Sequence, residues 1–62
     1  MNKYILYDFD GFILHTFEGN YMCYDPESNF FVISTMDSQG GHKNINWINK
    51  ENVERIKIEE VE

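Results

Sequence analysis

Residues 3–16 read KYILYDFDGFILHT. Two apolar, β-prone runs flank Asp10-Gly11, and no helical segment separates them. Asp-Gly between such runs signals a hairpin, because Gly accepts positive φ and Asp tolerates it. The stretch therefore predicts two antiparallel strands joined by a two-residue type I′ turn at Asp10-Gly11. That register pairs Phe9 with Phe12, Tyr7 with Leu14 and Ile5 with Thr16 on one face. The other face pairs Asp8 with Ile13, Leu6 with His15 and Tyr4 with Phe17. The first set is the more apolar and is expected to face the core; a slip of one residue would exchange the two sets.

Working outward, turn signals recur at short spacing: Glu18-Gly19-Asn20, Asp25-Pro26-Glu27-Ser28-Asn29 and Asp37-Ser38-Gln39-Gly40-Gly41. The runs between them are rich in Val, Ile, Tyr and Phe, the pattern of short antiparallel strands. Tyr21–Tyr24 and Phe30–Thr35 form a second predicted hairpin, with Pro26 presetting φ in its turn. Phe30-Phe31-Val32-Ile33 is apolar without alternation, so both faces of that strand call for cover. In 44–48, Ile45 and Trp47 share a face. The last stretch, NKENVERIKIEEVE, has two readings. Its residues favour helix and Asn49 suits an N-cap, yet its apolar positions make no helical stripe. As a strand, Ile56 and Ile58 alternate against Arg55 and Lys57. The reading adopted is a turn or 3₁₀ segment at 49–53, a strand at 54–59 and a frayed acidic tail near 60–62.

The fold class predicted is all-β: a single domain spanning 1–62, built as a small five-stranded antiparallel barrel with a 3₁₀ turn before its last strand. INKENVERIKIEE resembles the fourth strand, 3₁₀ turn and fifth strand of the SH3-like and Sm-like small barrels, and YDPESNFFVIS resembles their strand 2–3 hairpin. The chain lacks the N-terminal helix and the basic RNA-facing loop of Sm-type proteins.

A domain of 62 residues buries only about 60% of the surface its unfolded chain exposes. Small scaffolds usually add disulfides, a metal or oligomerisation. Cys23 is the single cysteine, and Cys23, His15 and His42 are scattered, so neither an internal disulfide nor a zinc site is expected. Association, with itself or with another protein, is what remains. The net charge is −6, which repels phosphate backbones; direct nucleic-acid binding is not expected. The same charge suits a protein partner with a basic surface. With no leader, no membrane-spanning run and one free cysteine, the chain reads as cytoplasmic.

YILYDFDG also resembles the first motif of haloacid-dehalogenase-type phosphatases, which would make Asp8 the nucleophile and Asp10 the general acid. That chemistry needs Mg²⁺ and further phosphate and metal ligands on a large parallel sheet. Parallel strands need crossovers of a dozen or more residues, whereas here FILHTF follows at once and Phe12 stands where that family has Thr or Val. The phosphatase reading is set aside, and Asp8 is read as a solvated carboxylate. EF-hand spacing fails too, since counting from Asp8 the glycine falls too early and Gly19 stands where the loop needs Glu. No enzyme, cofactor or metal site is expected. Cys23 is read as a buried, inert thiol.

Two sets of residues are candidates for binding. Trp47, with Tyr4, Tyr21, Tyr24 and Phe31, is expected to form an aromatic patch rimmed by Asp25, Glu27, Glu51 and Glu54, the build of a protein-binding surface. Gly40, Gly41, His42 and Lys43 offer amides and a cation to a phosphate. The leading functional expectation is a non-enzymatic inhibitor or regulator that binds a larger protein. In size, charge and β-content it is similar to small acidic inhibitors encoded by phages and mobile elements, such as the uracil-DNA glycosylase inhibitors. The alternatives are a self-associating Sm-like adaptor and an oligomeric nucleotide binder.

Overall fold

The computed structural model describes residues 1–61. Six strands follow in order: β1 (Asn2–Tyr7), β2 (Ile13–Gly19), β3 (Tyr21–Asp25), β4 (Phe30–Met36), β5 (His42–Asn49) and β6 (Arg55–Glu60). They make two three-stranded antiparallel sheets, ordered β2-β1-β6 and β3-β4-β5. The all-β class is therefore observed, with six strands in two sheets in place of five in a closed barrel. A 3₁₀ turn, Lys50–Asn52, precedes β6, and the Asn49 side chain caps it by accepting from the Glu51 N–H at 3.0 Å. The expected fraying begins too early: Glu60 lies within β6, and the Val61 N–H donates to the Met1 carbonyl at 3.0 Å. Residue 62 lies outside the described residues.

Asp side chains build the turns. In the first hairpin, Asp8 Oδ1 accepts from the N–H groups of Asp10 and Phe12, each at 2.9 Å. The Asp8 N–H donates to the Phe12 carbonyl at 2.8 Å, and Gly11 takes φ +87°. The loop is thus three residues, a turn closed by a left-handed glycine, and not the two-residue turn expected. Asp8 organises that loop and is more than a solvated carboxylate. Tyr7 consequently faces Ile13, and a bulge between Leu6 and Tyr7 restores the expected pairs Leu6–His15, Ile5–Thr16 and Tyr4–Phe17.

The β4–β5 hairpin repeats this construction, with Asp and Gly at the same spacing, Asp8–Gly11 and Asp37–Gly40. Asp37 Oδ1 accepts from Gln39 and Gly41 at 2.9 and 2.8 Å, Gly40 takes φ +84°, and a bulge follows between Ile33 and Thr35. The shared residues are the carboxylate acceptor and the left-handed glycine; the two positions between them differ. Asp37→Ala removes an acceptor for two amides and should cost about 1 kcal/mol. In a domain this small that reads as a fall of about 4–8 °C in Tm by circular dichroism; an unchanged Tm would mean the carboxylate is dispensable to the turn.

The core lies between the sheets: Tyr4, Leu6, Ile33, Ile48 and Val53, with Phe17, Met22, Phe31 and Ile56 packed against it. This reverses the face expected for the first hairpin, except that Ile5 of the expected set is buried as well. Tyr4 and Leu6 point inward, whereas Phe9 and Phe12 are 69% and 71% exposed. Both rings stand in the loop beyond Tyr7–Ile13, the last ladder pair of the hairpin, and remain largely in solvent. The Cα envelope measures 38 × 31 × 13 Å. Sheets pack about 10 Å apart, so the thin dimension holds two layers and no third, and each sheet shows its outer face to solvent.

Candidate functional site

The two outer faces differ in character. On β2-β1-β6, strand alternation turns outward Lys3, Glu18, Arg55, Lys57 and Glu59 around Ile5 and Tyr7. The Arg55 guanidinium stacks 4.3 Å from the centre of the Tyr7 ring, and Lys57 pairs with Glu59 at 3.4 Å. That face is charged, and Ile5 at its centre is buried. On β3-β4-β5 the outward residues include Tyr21, Cys23, Val32, Ile45 and Trp47, which line a shallow concavity of about 370 Å³. Trp47 is 63% exposed and Ile45 49%. Trp47 lies opposite Val32 in the ladder and meets the Phe30 ring edge-on at 6.4 Å. Apolar residues brought together and left uncovered mark an interaction surface more often than singly scattered ones do.

Trp47 also borders a second hollow, of about 580 Å³, on the other side of β5. Asp8, Phe9 and Asp10 from the first loop line it, with Leu14, His15 and Phe17 from β2, residues 46–49 of β5, and Glu51. The indole thus borders both an apolar face and an acidic, aromatic groove.

The expected aromatic patch is split by strand alternation. Trp47 and Tyr21 share the outer face of β3-β4-β5. Tyr24 and Phe31 pair with each other on the inner face, their rings 5.2 Å apart, and Tyr4 is buried in the core. The carboxylates make no common rim. Asp25 borders the outer face while holding its turn through Glu27 N–H and Ser28 Oγ. Glu27 stands in that turn, Glu51 lines the groove, and Glu54 follows the 3₁₀ turn, its N–H donating to the Tyr7 carbonyl at 2.9 Å. The patch that does form adds Val32, Ile45 and Cys23 to Trp47. Its only sequence signal is that Ile45 and Trp47 alternate together.

Cys23 is exposed, not buried, because it falls on the outward side of β3. The Cys23 sulfur, first as hydrogen-bond partner and second by its charge, holds the Tyr21 phenol above the usual tyrosine range. Gly40, Gly41, His42 and Lys43 do not form a phosphate cradle. The Gly40 and Gly41 N–H groups already donate to the carbonyl and carboxylate of Asp37, so an anion would meet a negative charge where it needs donors. His42 Nδ1 lies 2.8 Å from Oγ of the fully buried Ser34, and its ring meets Tyr21 edge-on.

Among the described residues no group of three or more His, Cys, Asp or Glu gathers as a metal would require, and no helix is long and apolar enough to cross a membrane. Compared with protein-family models, with curated proteins and with solved structures, the chain matches none.

Proposed function

We propose that this protein is a non-enzymatic binding module, an inhibitor or regulator that docks on a larger protein through the outer face of β3-β4-β5. The observation that carries this reading is the contrast between the two outer faces: one is charged and internally paired, the other apolar and centred on an exposed tryptophan. Trp and Tyr dominate interface hot spots. A net charge of −6 favours a partner whose surface is basic around an apolar centre. A barrel-type arrangement of the SH3-like or Sm-like kind draws support from the strand order, since β6-β1-β2 continues through Gly19 and Asn20 into β3-β4-β5, with the 3₁₀ turn before the last strand. Self-association is the second reading, favoured by the open outer edges of β5 and β6, each of which has one ladder partner among the described residues.

The test compares wild type with the double variant Ile45→Ser/Trp47→Ala. Both side chains are largely exposed, so stability should change by less than about 1 kcal/mol. Partner retention on the immobilised protein should fall by about thirtyfold or more, the loss of one hot spot. Light scattering across a dilution series separates the two readings. A monomer whose capture of a partner depends on Trp47 supports docking, and a stable multiple of the 7.4 kDa chain supports self-association. Equal capture by wild type and the double variant would defeat the assignment of this face.

A further inference from the structure

We propose that the groove between β2 and β5 takes an extended, arginine- or lysine-bearing segment of a partner protein, laid along the free edge of β5. This rests on the protein-binding reading above and names the chemistry of the partner.

Four consecutive residues of β5, 46–49, border the groove. Side chains alternate along a strand, so four in succession line one hollow only where the strand's edge forms the wall. β5 is the end strand of its sheet, and its outer edge has no ladder partner among the described residues. An extended segment can add to such an edge through main-chain hydrogen bonds, with pockets beside it reading alternate side chains.

Charge selects the occupant. Asp8, Asp10 and Glu51 line the groove, and no Lys or Arg does. Asp8 is partly committed to its loop amides, but Asp10 and Glu51 make no ion pair among the described residues. The nearby cations are held elsewhere. Lys50 lies in the adjoining hollow with Phe9 and Glu51, its ammonium 5.0 Å from the centre of the Tyr24 ring. Arg55 and Lys57 belong to the outer face of the other sheet. Phe9 and Trp47, both largely exposed, provide ring surface on which a guanidinium stacks. An open edge, uncompensated carboxylates and exposed rings together fit a basic strand. They disfavour an acidic one, or a nucleic acid, whose phosphates those carboxylates would repel.

The probe is a short acetylated and amidated peptide alternating arginine with threonine, titrated against ¹⁵N-labelled protein. A control peptide carries citrulline, a neutral isostere, at each arginine. The expected result is saturable shifts at Leu14, His15, Ile48, Asn49 and Glu51. Citrulline should weaken binding about tenfold or more, and Asp10→Asn/Glu51→Gln should do the same at unchanged Tm, as loss of two partly screened charge pairs implies. Equal affinity for both peptides, or shifts that never saturate, would overturn the proposal. Shifts confined to Cys23, Val32 and Ile45 would overturn the groove while leaving the outer-face reading of function standing. Concentration-dependent broadening of β5 and β6 amides without peptide would make a second copy the occupant, and would equally overturn it.

Discussion

Gly19→Ala is expected to unfold the protein or bring it to the edge of unfolding. A Cβ built at Gly19 would lie 2.5 Å from the Ser34 carbonyl oxygen and 3.1 Å from its carbon. Both are backbone atoms of the central strand of the other sheet, so no side chain can swing aside. This is where the chain passes between sheets. The Asn20 N–H donates to the same Ser34 carbonyl at 3.1 Å, while its side-chain amide donates to the Met36 carbonyl at 2.9 Å and accepts the Met36 N–H at 2.6 Å. Moving Gly19 outward therefore breaks that clasp as well. Overpacking alone costs about 1–3 kcal/mol, and losing the clasp adds about 1 kcal/mol per hydrogen bond. A domain of this size holds only about 3–9 kcal/mol in total. The check is urea unfolding followed by far-ultraviolet circular dichroism, since the exposed Trp47 is a poor reporter of the core. At a slope near 1 kcal/mol/M, the midpoint should fall by about 2 M or more. A midpoint within about 0.5 M of wild type would mean that the two sheets are not pressed together at this point.

The second large effect is Leu6→Ala, which should cost about 2–5 kcal/mol. Leu6 is fully buried on the central strand of its sheet, opposite His15 and Ile56, in the cluster with Ile33 and Ile48. Its counterpart is Phe9→Ala, which should change stability by less than about 0.5 kcal/mol although a larger apolar side chain is removed. The pair decides the face of the first hairpin, because the register read from residues alone predicts the opposite ranking. A Phe9→Ala variant less stable than Leu6→Ala would restore the other face.

That reversal separates what was legible in the chain from what was not. The strands of the first hairpin, its deeper pairs, the second hairpin and the 3₁₀ turn before β6 follow from local chemistry. Asp, Gly, Asn and Pro act within four residues, and alternation acts within one strand. The core face required knowing what stands opposite. Phe9 and Phe12 are as apolar as any pair in the chain, but they stand in the loop beyond the paired strands and stay largely exposed. The turn misled for a related reason: the Asp8 carboxylate, not Asp10-Gly11 alone, decides where the loop closes.

The candidate site divides in the same way. Trp47 and its companion Ile45 were legible because they alternate on one strand. Their grouping with Val32, Cys23 and Tyr21, and the separation of Tyr24 and Phe31 onto the other side, depend on cross-strand registers that no single strand encodes. By itself the sequence determined an all-β chain, acidic, small-cored, with its turns placed by Asp and Gly, because those effects are local or additive. Which faces meet, which aromatics stay in water, and the groove along β5 were decided only by the tertiary structure. Burial is a property of two surfaces at once, and the second surface lies far along the chain.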